Sequence, residues 1–262
     1  MNKIHPTAVL SAGARLHEGV SVGPYAVIEE DVIIGAETRI LSHAVIKPHV
    51  RIGKNCMIAE HVVLGGLPQD TRFAGERSFL VLADNVTIRE FAILHRATGE
   101  GEATKVGKGS YIMAYAHVSH NCKLGGQVTL ANGVQLAGHV EVGEQAFLGG
   151  SSGVHQFVRI GRLAMLGAHS YLTQDLPPFL LGSGHPFHVA GVNRVGLERA
   201  GFPPELRRLI AKLYRMFYRD PRPRDKVLVE LSPKERLIPE VAEFLNFIDS
   251  SRRGIRLKTR VR

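Results

Sequence analysis

An aliphatic residue recurs at every sixth position along most of this 262-residue chain. The in-phase residues form three blocks: Ile4, Leu10, Leu16, Val22, Ile28, Ile34, Ile40, Ile46, Ile52, Ile58 and Leu64; Leu82, Ile88 and Leu94; and Val106, Ile112, Val118, Leu124, Leu130, Leu136, Val142, Leu148, Val154, Ile160, Leu166 and Leu172. A small side chain usually stands two positions earlier, as at Ala8, Ala26 and Cys56. A period of six is neither the helical 3.6 nor the alternation of a plain strand. It is typical of the hexapeptide repeat of a parallel β-helix.

Three hexads make one triangular coil of about 18 residues, so residues 18 apart should stack in neighbouring coils. The aliphatic and small residues should face inward and fill a narrow prism. The two interruptions keep the phase but place Asp70, Glu76 and Glu100 at inward positions. Because unpaired charges are not buried in such a core, we expect loops extruded from the prism at roughly 66–80 and 97–104. Long loops in a regular structure are usually functional.

The pattern changes character after Leu172. Pro177-Pro178 closes the repeat, and helical spacing follows after Pro203-Pro204 and again over 237–248. The segment from Ser232 has the form of a capping box, and Gly254 is a candidate helix end. We therefore predict a left-handed parallel β-helix of hexapeptide repeats over residues 1–190 and an α-helical C-terminal domain over 191–262.

The positive charge of the chain is confined to its C-terminal part. Residues 1–198 hold 16 basic and 16 acidic residues, whereas 199–262 hold 17 basic and 8 acidic ones, which accounts for the net charge of +9. A basic surface attracts an anionic partner, although a solvated tail has the same composition. Four basic residues share neighbouring turns of one predicted helix and are docking candidates: Arg207, Arg208, Lys212 and Arg215. No aromatic–basic interleaving or known module indicates nucleic acid, so we expect no such partner.

Cysteine usage and the first residues indicate a compartment. Cys56 and Cys122 both occupy small inward positions and resemble core thiols of a reducing environment. The opening Met-Asn-Lys-Ile-His-Pro lacks the apolar core of a signal peptide. No apolar run reaches membrane-spanning length. We expect a cytoplasmic protein without a transmembrane segment.

Eleven of the 13 histidines fall within the repeat, and none of these occupies an inward position, so several should cluster on the outside of the prism. Steps of 18 place Gly138 and Gln156 in the column of His120. Five side chains should therefore lie near one edge over three consecutive coils: His117, His120, His139, His155 and Gln156. An outward imidazole beside a bare backbone N–H indicates a general base beside an oxyanion donor.

Two other interpretations fit the same spacing. One is a scatter of surface histidines. The other is a metal site, because some trimeric hexapeptide proteins bind zinc through three histidines. Metal-bound histidines usually have acidic partners, whereas the neighbours here, Ser119 and Asn121, are neutral. We therefore expect no metal and no other cofactor.

The chain resembles one known family over nearly its full length, the UDP-N-acetylglucosamine 3-O-acyltransferases of lipid A biosynthesis. The resemblance rests on PQDTRFAGE (68–76), IREFAILHRAT (88–98), TKVG (104–107), AHVSHNC (116–122), LAGHV (136–140), GVHQF (153–157), QDLPPF (174–179) and GVNRVGLERAGF (191–202). It implies acyl transfer from an acyl carrier protein thioester to the 3-hydroxyl of UDP-N-acetylglucosamine, in a homotrimer with active sites between subunits.

The resemblance also assigns roles to individual residues. It implies that His120 is the general base and that Gly138 donates its N–H to the oxyanion. Ala168 matches the position where side-chain size limits acyl length. The implied substrate contacts are Asp70 and Arg72 in the first loop, His117, His139, His155, Gln156, and, on the nucleotide side, Asn193 and Arg199.

Three positions depart from the family pattern. Asn121 replaces the usual Asp after the base, Arg72 replaces Lys, and Ala200 replaces a second Arg. The first change weakens a charged dyad, and the second alters the geometry of a positive group. N-acylation of a 3-amino sugar nucleotide therefore stays an alternative, as do a zinc-dependent hydratase and a non-catalytic scaffold.

Overall fold

The computed structural model describes residues 1–255, except for the side chains at positions 224 and 225. Most of the described chain winds through three parallel sheets, and each coil contributes one short strand to each sheet.

Every third strand along the chain belongs to the same sheet until the prism ends. Sheet A contains β1 (Lys3–Ile4), β4 (Ser21–Val22), β7 (Arg39–Ile40), β10 (Met57–Ile58), β13 (Thr87–Ile88), β16 (Tyr111–Ile112), β19 (Thr129–Leu130), β22 (Phe147–Leu148), β25 (Met165–Leu166), β27 (Leu180–Ser183) and β28 (His188–Val192). Sheet B contains β2 (Val9–Leu10), β5 (Val27–Ile28), β8 (Val45–Ile46), β11 (Val63–Gly66), β14 (Ile93–His95), β17 (His117–Val118), β20 (Gln135–Leu136), β23 (Gly153–Val154) and β26 (Tyr171–Leu172). Sheet C contains β3 (Arg15–Leu16), β6 (Ile33–Ile34), β9 (Val50–Ile52), β12 (Phe79–Leu82), β15 (Ala103–Val106), β18 (Lys123–Leu124), β21 (Glu141–Val142) and β24 (Arg159–Ile160).

The pairing register confirms the predicted coil. In most pairs the partners are 18 positions apart, as for Lys3 and Ser21 in sheet A. The register lengthens where the loops are inserted, so Met57 pairs with Thr87 and Ile93 pairs with His117. The in-phase aliphatics are buried from Val22 onward, whereas Ile4, at the open end of the prism, is 46% exposed.

The corners of the prism use left-handed backbone. Residues three positions before an in-phase aliphatic commonly have positive φ, including His43 (60°), Asn121 (59°) and His139 (60°). Rings at one corner stack, and His43 and His61 lie 4.8 Å apart as their spacing predicts. Of the predicted functional side chains, His139 occupies such a corner position.

Both extruded loops exist, but they are shorter than predicted. They span 67–78 and 96–102, because Phe79–Leu80 and Ala103–Thr104 extend β12 and β15 and pair with each other. Glu76 and Glu100, which the inward phase could not accommodate, connect the two loops. Glu76 accepts from the Gly99 N–H at 2.9 Å, and Glu100 accepts from the Arg77 N–H at 2.9 Å.

The C-terminal part begins with an antiparallel hairpin, β27–β28, that crosses the predicted domain boundary at 190. The helices that follow are α1 (Arg194–Arg199), α2 (Pro204–Tyr218), α3 (Arg224–Leu228), α4 (Pro233–Arg236) and α5 (Pro239–Asp249). The capping box at Ser232 is present. The predicted helix end at Gly254 is wrong, because α5 ends at Asp249 and Gly254 pairs with the last coil instead. The predicted division into domains stays a prediction, and its last residues, 256–262, lie outside the described chain.

Within residues 1–255, no helix is both long and apolar enough to cross a membrane.

Candidate functional site

The turn after β17 holds His120 in a hydrogen-bonded frame. Nδ1 of His120 lies 3.0 Å from Oδ1 of Asn121. Thr98 orients that amide, because its N–H donates to Oδ1 at 2.9 Å and its carbonyl accepts from Nδ2 at 3.0 Å. Backbone groups have fixed roles, so Oδ1 is an acceptor and Nδ1 of His120 carries the proton. The neutral imidazole keeps an unprotonated Nε2, the atom that a general base needs.

Gly138 lies against the His120 ring in the next coil, as the spacing predicts. A Cβ at Gly138 would come within 2.6 Å of Nε2 and Cε1 of His120, so only glycine fits here without displacing the ring. The backbone is fixed on both sides, since the His139 N–H donates to the His120 carbonyl at 3.0 Å and the Phe157 N–H donates to the Gly138 carbonyl at 3.1 Å. Among residues 1–255 the Gly138 N–H has no hydrogen-bond partner. A free N–H beside a basic nitrogen is suited to a developing oxyanion.

Three of the histidines near His120 are held neutral, namely His95, His117 and His139. The His139 ring meets His120 edge-on at 5.2 Å and stacks on Phe157 at 4.6 Å. Burial lowers the pKa of His117 to about 4, with a smaller contribution from the charge of His95, whose ring is 5.0 Å away. Burial also lowers the pKa values of His95 and His139. At neutral pH these neighbours therefore add no positive charge beside the imidazole that accepts the proton.

The first loop brings Asp70 to this cluster as part of an ion pair. Arg72 donates its N–H and Nε to Oδ1 of Asp70 at 2.9 and 3.2 Å, and its Nη2 to Oδ2 at 3.1 Å. These hydrogen bonds are the main reason why the pKa of Asp70 falls to about 2, and the charge of His120 adds to the effect. A substrate hydroxyl that reaches Asp70 would thus meet an ion pair and not a free carboxylate.

A cavity of about 440 Å³ brings together five of the predicted residues. Its lining includes His117, His120, Gly138, His155 and Gln156. His139 lies behind His120 and outside this lining. One further side chain, Tyr171, closes part of the cavity beside Gly153, where an added Cβ would be 3.0 Å from the tyrosine ring.

Three predicted residues lie elsewhere in the protomer. Asn193 and Arg199 line a separate cavity of about 510 Å³. The buried Asn193 amide caps α1 by accepting from the Gly196 N–H at 3.0 Å, and it donates to the Leu163 carbonyl at 2.8 Å. Ala168 is exposed in the turn between β25 and β26. The roles of Asn193, Arg199 and Ala168 stay predictions.

The basic helix α2 is less positive than its sequence indicates. Three of its four docking candidates have carboxylate partners: Arg207 with Glu198 at 3.5 Å, Arg208 with Glu205 at 3.0 Å, and Lys212 with Glu235 at 2.8 Å. Arg215 is exposed and has no ion pair within the described chain. A docking surface on this helix would rest mainly on Arg215.

Sequence reasoning missed three residues of the site. His95 packs behind His117 and donates from Nδ1 to the Leu67 carbonyl at 2.7 Å. Thr98 orients Asn121 from the second loop. Arg253, from the C-terminal segment, lies 3.2 Å from Nδ1 of His155. The only sequence signal was that His95 and Thr98 lie within the IREFAILHRAT motif.

Comparisons with known proteins agree over nearly the whole chain. Residues 175–256 match the family described as UDP N-acetylglucosamine O-acyltransferase, domain 2, and residues 31–66 match bacterial transferase hexapeptide repeats. The acyl-(acyl-carrier-protein)–UDP-N-acetylglucosamine O-acyltransferase of Thiobacillus denitrificans is 41% identical over 97% of this chain and 99% of its own length. The UDP-N-acetylglucosamine acyltransferase of Francisella novicida superposes with a TM-score of 0.93 at 34% identity, over 98% of this chain and 95% of its own. The Campylobacter jejuni enzyme gives 0.91 at 33% identity, over 98% and 100%.

Proposed function

Because the chain belongs to the acyl-(acyl-carrier-protein)–UDP-N-acetylglucosamine O-acyltransferase family, we propose that His120 is the general base of its reaction. The protein is an acyltransferase with the left-handed parallel β-helix of its relatives. It moves an acyl chain from an acyl carrier protein thioester to the 3-hydroxyl of UDP-N-acetylglucosamine, in lipid A biosynthesis.

The observation that carries this proposal is the fixed tautomer of His120. Asn121 accepts from Nδ1, so Nε2 is free to take the proton of the sugar hydroxyl as its oxygen attacks the thioester carbonyl. The Gly138 N–H donates to the oxyanion of the tetrahedral intermediate. When that intermediate collapses, the C–S bond breaks and the thiolate leaves. The proton on Nε2 then passes to the departing sulfur, which restores the neutral imidazole.

Asn121 supplies orientation without negative charge. An Asp at this position would also stabilise the imidazolium that forms during the reaction. Here the orienting contact is a neutral amide fixed by Thr98. His120 therefore acts as a base whose protonated form has no carboxylate at Nδ1.

Among the alternatives, a zinc-dependent hydratase needs a metal site, and within residues 1–255 of one protomer no three or more His, Cys, Asp or Glu side chains group to hold a metal. N-acylation of a 3-amino sugar nucleotide uses the same base and oxyanion donor. Turnover of the two sugar nucleotides in parallel separates it from O-acylation.

We also propose a homotrimer, for which the outward face of sheet B is the support. The first residues of five successive strands in this sheet form an apolar stripe: Val9, Val27, Val45, Val63 and Ile93. Val9 is 60% exposed and Ile93 is 39% exposed. On the same face the next four strands begin with His117, Gln135, Gly153 and Tyr171, which line the cavity, so a subunit that covers this face would also close the site. Light scattering should give three times the chain mass of 28.7 kDa.

The test of the base is His120→Ala. We expect kcat to fall by roughly 10²–10⁴-fold, the usual contribution of a positioned base, with the fold intact because the ring lies outside the prism. His17→Ala removes an exposed imidazole from the first coil and should leave kcat unchanged. Product mass spectrometry with a panel of acyl carrier proteins identifies the acyl chain. If His120→Ala kept a near-native kcat while His155→Ala lost turnover, the assignment of the base to His120 would be wrong.

A further inference from the structure

The described C-terminal segment returns to the last coil of the prism. The Asp175 N–H donates to the Gly254 carbonyl at 2.8 Å. The buried Asp175 carboxylate accepts from the Ser251 hydroxyl at 2.7 Å and from the Arg159 N–H at 2.8 Å. These bonds hold residues 251–254 beside the turn that precedes Asp175, next to the cavity of His120.

This anchoring places the Arg253 guanidinium against a histidine of the cavity. Its Nη2 lies 3.1 Å from the Thr173 carbonyl and 3.2 Å from Nδ1 of His155. A guanidinium only donates hydrogen bonds, so Nδ1 of His155 accepts. The Gln156 carbonyl, 3.3 Å from the same nitrogen, is then no partner for it. The proton of the neutral His155 ring consequently resides on Nε2.

We propose that Arg253 is a positioning residue that fixes His155 as an Nε2–H donor to an oxygen of the bound substrate. This inference rests on the proposed acyl transfer. His155 and His120 line one cavity in opposite tautomers. Nε2 of His120 is an acceptor, because Nδ1 carries the proton and donates it to Asn121. Nε2 of His155 is a donor, because the lone pair of Nδ1 accepts from Arg253. The C-terminal segment therefore belongs to the active site, although Arg253 stands 98 positions away from His155.

A double-mutant cycle separates this role from a structural one. In Arg253→Gln the ring of His155 is free to exchange tautomers, and we expect kcat/KM to fall roughly tenfold, the effect of one lost hydrogen bond. His155→Gln places an amide N–H near the position of Nε2 and has no tautomer to fix. Adding Arg253→Gln in that background should therefore have no further effect. Arg253→Lys keeps a long cationic donor, whereas the glutamine amide is shorter and neutral, so the lysine variant should recover part of the activity.

The matched control is Arg252→Gln, which removes the same charge from the exposed neighbour and should leave kcat/KM unchanged. Thermal unfolding of each variant checks that the fold is kept. Equal losses in Arg252→Gln and Arg253→Gln, or additive losses in the His155→Gln background, would overturn the proposal.

A second readout does not depend on turnover. The ring ¹⁵N resonances of His155, assigned by their absence in His155→Gln, should show the Nε2–H form in the wild type and a mixture of forms in Arg253→Gln. Equal spectra in the two proteins would overturn the role of Arg253. If the wild type failed to acylate the sugar nucleotide, the proposed function would be wrong. The ¹⁵N spectra would still show whether Arg253 fixes the tautomer of His155.

Discussion

A single methyl group at Gly138 should disable the enzyme. In Gly138→Ala the new Cβ would lie 2.6 Å from Nε2 and Cε1 of His120, whereas atoms of this kind normally approach to about 3.5–4.0 Å. The imidazole must therefore retreat by about 1 Å. Gly138 does not have positive φ, so alanine adds no backbone strain of its own. A displacement of about 1 Å in a reacting group typically costs about 10²-fold in rate, and we expect kcat to fall by that factor.

The measurement is initial-rate release of the carrier thiol at saturating sugar nucleotide. Gly13→Ala is the control, because its Cβ would be 3.5 Å from the nearest atom, an ordinary contact in the first coil. In the His120→Ala background the ring is absent, so Gly138→Ala should cost no stability there. A kcat within threefold of the wild type, or equal destabilisation in both backgrounds, would refute the reasoning.

Three further outcomes are expected. Asn121→Asp should move the acidic limb of the pH–rate profile to higher pH, because a carboxylate stabilises the imidazolium. It should also lower the free energy of unfolding by about 1–3 kcal/mol, since an oxygen replaces the Nδ2 that donates to the Thr98 carbonyl at 3.0 Å. An unchanged pH–rate profile would contradict the contact between residue 121 and Nδ1 of His120. His117 has a pKa near 6.5 when unfolded and about 4 when folded. The unfolded state therefore takes up the proton first, and stability should fall as the pH drops from about 6.5 through about 4. His117→Gln should lose less stability over this range in urea titrations, and an equal loss would argue against the shift. Arg215→Glu should raise the KM for the carrier protein severalfold, less so at high salt, while the KM for the sugar nucleotide stays constant; equal changes in both would exclude docking at Arg215.

The fold could be predicted because the repeat determines it one coil at a time. Each in-phase aliphatic has the same local geometry, and the six-residue phase is the same before and after the two insertions. The insertions could therefore be located from charged residues at inward positions, such as Glu76. The loop ends could not be located from phase alone. Phe79 and Ala103 pair with each other in strands longer than the two-residue strands of a regular coil, and such an extension depends on the neighbouring coil. The helix end was misplaced for a related reason, because Gly254 turns the chain in a segment bound to Asp175.

The site was predictable only where the 18-residue spacing holds. The shared column of His120, Gly138 and Gln156 follows from the 18-residue spacing because no insertion separates them. His95 was missed because the second loop adds six residues to its coil, so that Ile93 pairs with His117, 24 positions away. Arg253 has no periodic relation to the prism. The position of Arg253 depends on how the C-terminal helices bring the chain back to the last coil. This path cannot be predicted from composition or from the repeat.

The repeat of a solenoid places side chains in columns, but it does not by itself determine which nitrogen of an outward histidine carries the proton. The described contacts determine this from outside the repeat. The second loop supplies Thr98, which through Asn121 leaves Nε2 of His120 free to accept a proton. The C-terminal segment supplies Arg253, which leaves Nε2 of His155 as a donor. The repeat thus sets where the imidazoles lie, and the two non-repeating segments set which of them can act as the base. It follows that acyl transfer should be more sensitive to changes in these segments than to conservative substitutions within the aliphatic core.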